Sequence, residues 1–109
     1  MNYDSLMDNI KRIHFIGIGG SGMCPLAEIL HYEGYELSGS DMNEGETLDR
    51  IKGYGIPVFM GHAAENVKGA ELVVYSAAIK ETNPERQAAK ELGIPCIERS
   101  VMLGIVTRR

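Results

Sequence analysis

Three glycines near the amino end of the sequence have the spacing of a phosphate-binding turn. Gly17, Gly19 and Gly22 form the pattern G-x-G-x-x-G within HFIGIGGSGM. In such a turn the first glycine permits a tight bend, the second lets a phosphate approach the backbone, and the third lets a helix pack closely on a strand. Backbone N–H groups at a helix start attract anions, and the helix dipole strengthens that attraction. The pattern predicts a diphosphate site; its alternative interpretation is a turn whose glycines serve packing alone.

The residues in and directly after this turn are the candidate contacts to a diphosphate. We expect the N–H groups from Gly20 to Met23 to be free and to face the ligand, with the Ser21 hydroxyl as a further donor. The full set of candidate contacts in the turn is Gly17, Gly19, Gly20, Ser21, Gly22 and Met23.

An acidic residue follows at the distance that dinucleotide folds use for ribose recognition. Asp41 lies 19 positions after Gly22, at the end of the segment YELSGSD. In those folds a carboxylate about 20 residues after the turn accepts a hydrogen bond from a ribose hydroxyl. We therefore predict that Asp41 binds a ribose, the alternative being a solvated turn residue. A carboxylate here would repel a 2′-phosphate, which disfavours NADP.

The surrounding pattern alternates between apolar strands and amphipathic helices. Met23, Leu26, Ala27 and Leu30 have the spacing of one helix face, and Gly34 then ends that helix. We predict strands at 12–19, 35–41, 56–61, 70–76 and 94–98, further helices at 46–55, 83–93 and 99–109, and a turn or short helix at 62–69. Alternating β and α elements with short links predict a single α/β domain over residues 1–109. We expect a Rossmann-like, doubly wound parallel sheet of about five strands.

The segment NPERQAAKELG carries clear helix signals. Asn83 suits the N-cap position, and Gly93 suits the end of the helix. Ala88, Ala89 and Leu92 are expected to face the core.

Composition excludes several classes of protein. The 109 residues are 44% hydrophobic and 24% charged with a net charge of −4, which argues against a nucleic-acid partner. No apolar run approaches the ~20 residues that span a bilayer, and the charged N-terminus is no signal peptide, so we expect a cytoplasmic protein without a membrane partner. Cys24 and Cys96 have neither disulfide nor metal-ligand spacing, and we predict no metal site. The final helix is unfinished where the sequence stops, and we expect a longer parent chain.

Several segments occur in an order that is typical of one ligase family. They are HFIGIGGSGM with LAEIL, LSGSD at 37–41, GHAAENV at 61–67, LVVYSAAIKETNPE at 72–85 and ERSVML at 98–103. Together they resemble the amino-terminal domain of the UDP-N-acetylmuramate–L-alanine ligases of the Mur ligase family, the first amino-acid-adding enzymes of peptidoglycan synthesis. Cys24, Pro25, Ala77 and the Ser100-Val101 pair depart from the family pattern, but every glycine of the turn is present.

The resemblance implies one domain of a three-domain ligase. In that family the amino-terminal domain binds the UDP part of UDP-N-acetylmuramate, a central P-loop domain binds ATP and Mg²⁺, and a carboxy-terminal domain helps to receive L-alanine. ATP phosphorylates the muramate carboxylate, and the amine of alanine attacks the acyl phosphate. This sequence contains no G-x-x-x-x-G-K-[ST]. We therefore expect the central and carboxy-terminal domains, the cofactors and the catalytic residues to lie outside it, and the chain alone to be inactive.

Three residues outside the turn are further candidates for ligand contact. His62 follows a strand-ending glycine, and the resemblance implies contact with uridine; the alternative is a solvated surface histidine. Ser76 follows the fourth predicted strand, near the crevice where strand order reverses. Arg99 begins the last helix, where it would steer phosphate, meet a missing domain or be a surface charge. His14 lies inside the first strand and is expected to be packed.

Two other functions share the glycine turn and Asp41. One is the NAD-binding domain of an oxidoreductase, and the other is a regulatory sensor domain that uses a dinucleotide as a switch. Neither accounts for the later segments GHAAENV and SAAIKETNPE. Ligand identity separates them from the ligase hypothesis, because one fold hosts many functions.

Overall fold

Strands alternate with helices along the chain in the computed structural model, which describes residues 7–20 and 22–108. The strands are β1 (Arg12–Ile16), β2 (Glu36–Asp41), β3 (Val58–Met60), β4 (Leu72–Tyr75) and β5 (Cys96–Glu98). The helices are α1 (Met23–Tyr32), α2 (Glu46–Gly53), α3 (Pro84–Leu92) and α4 (Arg99–Thr107), with a 3₁₀ helix at Ala64–Val67. Every predicted element is present, although the strands are shorter than the segments that predicted them. None of the helices in the described part of the chain has the length and apolar character of a membrane span.

All strands lie in one parallel sheet of order β3-β2-β1-β4-β5. Arg12–Ile16 pairs with Glu36–Ser40 on one side, and Ile13–Ile16 pairs with Leu72–Tyr75 on the other. The chain winds outward from β1 to β3 and then crosses back to β4, so strand order reverses between β1 and β4. Open sheets of this kind bind ligands in the crevice beyond the carboxyl ends of the strands at such a reversal. The predicted doubly wound parallel sheet is confirmed.

Apolar side chains pack on both faces of the sheet. On one face, residues of α1, α2 and α4 cover the strands and bury Phe15, Leu26 and Ile105. On the other face, a smaller cluster joins Val73 to Ala88 of α3. The two layers hold the strands from both sides and fix the carboxyl edge of the sheet, where the glycine turn lies.

The face of the sheet under α3 also carries polar side chains. Because side chains alternate along a strand, His14 points away from the larger core that contains its neighbours. His14 pairs in register with Ser38 of β2, and Ser40 lies two residues further along the same face. Three polar side chains therefore lie in a row beneath α3.

Helix α3 begins as predicted but buries a different residue. The Asn83 side chain accepts a hydrogen bond from the N–H of Glu85 at 2.8 Å, and Gly93 ends the helix at φ 72°. The two alanines of α3 face the core, as expected, but Leu92 is 58% exposed and its predicted inward position is wrong. The buried face of α3 includes its first turn, where Glu85 lies over the sheet. Leu92 is the last residue of the helix and lies beyond the sheet.

Candidate functional site

The glycine turn leaves the carboxyl end of β1 and is anchored on β2. The carbonyl oxygen of Ser40 accepts from the N–H groups of Gly17 at 2.8 Å and Ile18 at 3.0 Å. The Ile18 side chain covers β2 at Gly39, where a Cβ would lie 2.5 Å from the isoleucine. The sequence pattern did not single out Gly39, yet the turn depends on the space that it leaves.

Two glycines of the turn have backbone conformations that favour glycine. Gly17 has φ 79° and Gly22 has φ 77°, in the left-handed region that costs other residues about 1–2 kcal/mol. A Cβ on Gly17 would lie 3.1 Å from the Ser76 hydroxyl oxygen, and one on Gly20 would lie 3.5 Å from the Ser76 Cβ. The turn and the residue after β4 therefore lie side by side where strand order reverses.

The turn uses part of its own hydrogen-bonding capacity, contrary to our expectation. The N–H of Gly20 donates to the carbonyl of Gly17 at 2.8 Å, and the N–H of Met23 donates to the carbonyl of Gly20 at 3.1 Å. The prediction that these two N–H groups are free is wrong, because the tight bend satisfies them internally. The N–H of Gly22 has no acceptor among residues 7–20 and 22–108. Ser21, the remaining predicted donor, lies outside the described residues.

The carboxylate of Asp41, at the end of β2, supports the turn through a hydrogen bond. Its Oδ2 accepts from the N–H of Gly19 at 2.9 Å, and its Oδ1 accepts from the N–H of Asn43 at 3.0 Å. Each carboxylate oxygen can accept a further hydrogen bond. The same carboxylate borders a cleft of about 280 Å³ between the turn and residues 43–48. Its predicted contact with ribose stays a prediction, and bracing the turn is a second role that the sequence did not reveal.

The guanidinium of Arg99 lies over the start of α1. A Cβ on Gly22 would be 3.1 Å from Nη1 and 3.2 Å from Cζ of this arginine. Helix α4 places the side chain there, since Arg99 is its first residue. Within the described part of the chain, no carboxylate forms an ion pair with it. A guanidinium beside a helix N-terminus and the N–H of Gly22 is a favourable environment for an anion.

The imidazole of His62, which follows β3, is mostly buried. Its Nδ1 lies 2.9 Å from the hydroxyl oxygen of Ser40 and 3.3 Å from Oε2 of Glu85, and 12% of its side chain is exposed. The alternative of a solvated surface histidine is therefore wrong. Its Nε2 has no hydrogen-bond partner among the described residues.

Glu85 is the centre of a buried polar cluster. Its Oε1 accepts from His14 Nε2 at 2.6 Å and from the Ser40 hydroxyl at 2.8 Å. Its Oε2 accepts from the Asn66 amide at 3.0 Å and from the N–H of Ala63 at 3.1 Å. We define the Glu85 cluster as the side chains of His14, Ser38, Ser40, His62, Asn66 and Glu85.

The hydrogen bonds of the cluster keep Glu85 ionised. Burial by itself would raise the pKa of Glu85, but hydrogen bonds from His14, Asn66 and Ser40 lower it to about 2. The carboxylate is therefore charged at neutral pH and accepts hydrogen bonds at both oxygens. His14 is fully buried, as predicted, and its Nδ1 lies 2.7 Å from the Ser38 hydroxyl oxygen.

Glu85 is not among the site residues predicted from the sequence, although the sequence contains a signal for it. Glu85 precedes Ala88 and Ala89 by three and four positions, which places it on their apolar helix face. A carboxylate on an inward stripe requires buried donors. The donors to Glu85 come from β1, β2 and the segment after β3. The sequence of α3 alone cannot predict them.

The structure brings most of the predicted contacts to one edge of the sheet. The glycine turn is surrounded by Asp41, Ser76 and Arg99. His62 follows β3, and its imidazole lies beside Ser40 of β2. Within residues 7–20 and 22–108 there is no group of three or more His, Cys, Asp or Glu side chains that could hold a metal ion.

Sequence comparison relates the chain to a group of cell-wall ligases. The family profile "Mur ligase family, catalytic domain" matches residues 12–109. The chain is 50% identical over 102 residues to the UDP-N-acetylmuramate–L-alanine ligase of Legionella pneumophila (strain Corby). It is 52% identical over 99 residues to that of Sulfurihydrogenibium sp. (strain YO3AOP1). The alignments cover 94% and 91% of this chain but 22% of each ligase.

Solved structures give the same relationship. The UDP-N-acetylmuramate-alanine ligase of Thermotoga maritima is 33% identical with a TM-score of 0.86, over 90% of this chain and 23% of that one. Shikimate dehydrogenase from Aquifex aeolicus shares the fold with a TM-score of 0.60 over 93% of this chain and 47% of that one, at 18% identity. Because the match to the ligase has the higher identity and TM-score, the comparisons do not favour the oxidoreductase and sensor alternatives. Since the family profile covers most of its length, the chain belongs to the Mur ligase family.

Proposed function

We propose that this chain binds the UDP part of UDP-N-acetylmuramate as a domain of a ligase that joins L-alanine to that substrate. Membership of the Mur ligase family supports the proposal, as do the names of the similar proteins from L. pneumophila and T. maritima. The chain spans about 22% of the length of the curated relatives that it matches. The ligase activity is therefore proposed for a full-length protein, with this chain as its nucleotide-sugar-binding part.

The observation that carries the proposal is the position of Arg99 against Gly22. A diphosphate needs compensation for its negative charge when it leaves water, and a guanidinium provides it through charge-assisted hydrogen bonds. Helix α1 adds its N-terminal dipole at the same point. We assign the diphosphate to this position, with Ser76 beside the turn as an additional hydroxyl donor.

The nucleoside would extend from there along the carboxyl ends of β2 and β3. Asp41 ends β2 and keeps acceptor capacity for a ribose hydroxyl. His62 follows β3 and is the candidate for contact with the uridine. These assignments place the diphosphate, ribose and base over successive strand ends, in the order of a Rossmann-type site.

The remaining parts of the reaction belong to other domains in this proposal. ATP and Mg²⁺ would be bound by the central domain of a full-length ligase, and the carboxy-terminal domain would help to receive L-alanine. We propose a cytoplasmic location, where those nucleotides are available. The chain by itself is expected to bind the nucleotide sugar without ligating it.

The proposal can be tested by calorimetric titration of the 109-residue chain with three ligands. We expect saturable heats with UDP-N-acetylmuramate and weaker but saturable heats with UDP, because UDP retains the diphosphate and nucleoside. NADH is expected to give no saturable heat. The same three titrations of the full-length protein serve as the reference for any contribution from other domains.

The outcomes separate the hypotheses. Binding of NADH without binding of either uridine ligand would move the chain to the oxidoreductase or sensor class. If neither the chain nor the full-length protein bound a uridine ligand, the proposal would be wrong.

A further inference from the structure

The Glu85 cluster joins the interior of the domain to the edge of the proposed site. Glu85 lies on α3, which has no residue among the predicted ligand contacts. Through its Oε2 it contacts the imidazole of His62, the residue proposed to meet the uridine. The cluster is therefore a route by which a buried charge can act on a ligand-facing side chain.

The hydrogen-bond pattern determines which nitrogen of His62 carries a proton. Ser40 has one hydroxyl proton, and it donates this proton to Oε1 of Glu85 at 2.8 Å. The hydroxyl oxygen of Ser40 can then only accept from Nδ1 of His62, at 2.9 Å. Oε2 of Glu85, 3.3 Å from the same Nδ1, is also only an acceptor. Both neighbours require a proton on Nδ1.

A proton on Nδ1 has a consequence at the other side of the ring. In the neutral imidazole only one nitrogen carries hydrogen, so Nε2 keeps its lone pair. This Nε2 has no partner among the described residues, and the side chain is partly open to solvent. His62 can therefore offer a hydrogen-bond acceptor to a ligand N–H or O–H group.

We propose that Glu85 is a positioning residue that holds His62 with its proton on Nδ1, so that Nε2 accepts a hydrogen bond from the nucleoside of the ligand. This inference rests on the proposed function, since it names the partner of His62 as part of a uridine nucleotide. The uracil ring has an N–H donor and the ribose has hydroxyl donors, and either satisfies the acceptor. Glu85 itself does not contact the ligand in this arrangement.

The substitution Glu85→Gln tests the proposal because it replaces one acceptor oxygen of the carboxylate by a donor. The backbone N–H of Ala63 requires an acceptor at the Oε2 position, so the amide NH₂ takes the place of Oε1 and donates to the Ser40 hydroxyl oxygen. The hydroxyl proton of Ser40 can then be donated to Nδ1 of His62, which favours a lone pair on Nδ1 and moves the ring proton to Nε2. We expect the imidazole ¹⁵N shifts of His62 at pH 8 to report a protonated Nδ1 in the wild-type chain and a protonated Nε2 in the variant. Affinity for UDP is expected to fall about tenfold, the value of one net hydrogen bond.

The matched control is His14→Gln. His14 contacts Oε1 of the same carboxylate from β1, but its two ring nitrogens bond to Ser38 and Glu85 and not to His62. We expect this variant to be destabilised while the His62 ring proton stays on Nδ1 and the affinity for UDP is unchanged. An equal loss of UDP affinity in both variants would indicate a purely structural role for Glu85 and would overturn the proposal.

A second variant decides the matter if Glu85→Gln does not fold. In His62→Asn the amide NH₂ takes the place of the Nδ1–H group toward Ser40 and Glu85, while the acceptor at Nε2 is lost. We expect a folded chain with about tenfold weaker binding of UDP. Unchanged affinity in this variant, or a wild-type His62 protonated at Nε2, would overturn the proposal.

Failure of the proposed function would give a different set of binding results from failure of the positioning role. In that case the wild-type chain and the full-length protein would bind no uridine ligand, and the ligand role of His62 would fall with it. A wild-type chain that binds UDP, together with a Glu85→Gln variant of equal affinity, overturns the positioning role alone.

Discussion

His14 Nε2 lies 2.6 Å from Oε1 of Glu85, and neither side chain is exposed to solvent. The two residues are 71 positions apart, and sheet and helix bring them together across the face under α3. Because hydrogen bonds lower the pKa of Glu85 from its usual 4.5 to about 2, this contact links folding to pH.

We expect the free energy of unfolding to fall as the pH decreases from about 5 to about 2. A carboxyl group whose pKa is lower in the folded state stabilises the protein above its unfolded pKa and loses this effect as pH falls through the folded pKa. The loss attributable to Glu85 should be about 3 kcal/mol at most. Urea denaturation at a series of pH values measures it. Glu85→Gln should flatten the curve in this window, whereas Glu36→Gln, on an exposed ion pair, should leave its shape nearly unchanged.

Removal of the Arg99 guanidinium should weaken ligand binding with little effect on stability. Arg99→Gln removes the cation beside Gly22. Charge-assisted hydrogen bonds to phosphate contribute about 1.5–3 kcal/mol, so UDP should bind about 10- to 100-fold more weakly. Calorimetric titration provides the affinity. Arg12→Gln removes the same charge at the amino end of β1 and is the control for net charge. Equal losses in both variants would argue against a specific role for Arg99.

A side chain at Gly22 should damage the turn in two ways. Gly22→Ala costs about 1–2 kcal/mol because φ is 77°, and its Cβ would meet Arg99 at 3.1 Å. We expect a lower melting temperature and a loss of UDP binding. Gly34→Ala has a similar backbone cost at φ 95° but meets nothing within 4 Å, so it should be destabilised without losing UDP affinity. If both variants bound UDP as the wild type does, Gly22 would not contribute to the site.

The carboxylate of Asp41 should protect the backbone of the turn. In Asp41→Ala the N–H of Gly19 loses its acceptor, and we expect faster amide hydrogen exchange at Gly19 and at Asn43. Asp41→Asn keeps one acceptor oxygen and should show an intermediate rate at Gly19. NMR-detected exchange measures both. Unchanged protection at Gly19 in the alanine variant would show that the contact does not hold the turn.

The space above Gly39 should be required for the turn to lie on β2. Gly39→Ala would place a Cβ 2.5 Å from the Ile18 side chain, and overpacking of this kind costs about 1–3 kcal/mol. Gly53→Ala, at the end of α2 with nothing within 4 Å, should be neutral or stabilising because alanine favours helix. Thermal denaturation compares the two variants. Equal stability of the variants would mean that Ile18 moves aside freely.

The sequence by itself determined the elements, their order and the turn. Hydrophobic periodicity and glycine spacing are local properties, so strands, helices and the cap at Asn83 could be predicted from neighbouring residues alone. The alternation of strand and helix then limited the fold to a parallel doubly wound sheet. The sites of Ser76 and Asp41 at strand ends follow from the same pattern.

The tertiary structure decided which side chains meet. The contacts of Arg99 with Gly22 and of Glu85 with His62 depend on the register of the strands and on how each helix packs on the sheet. The exposure of Leu92 depends on the same packing, since helix periodicity shows which residues share a face but not how far along the helix the sheet extends. Contacts between residues far apart in the chain are set by these long-range arrangements, and local sequence patterns do not contain them.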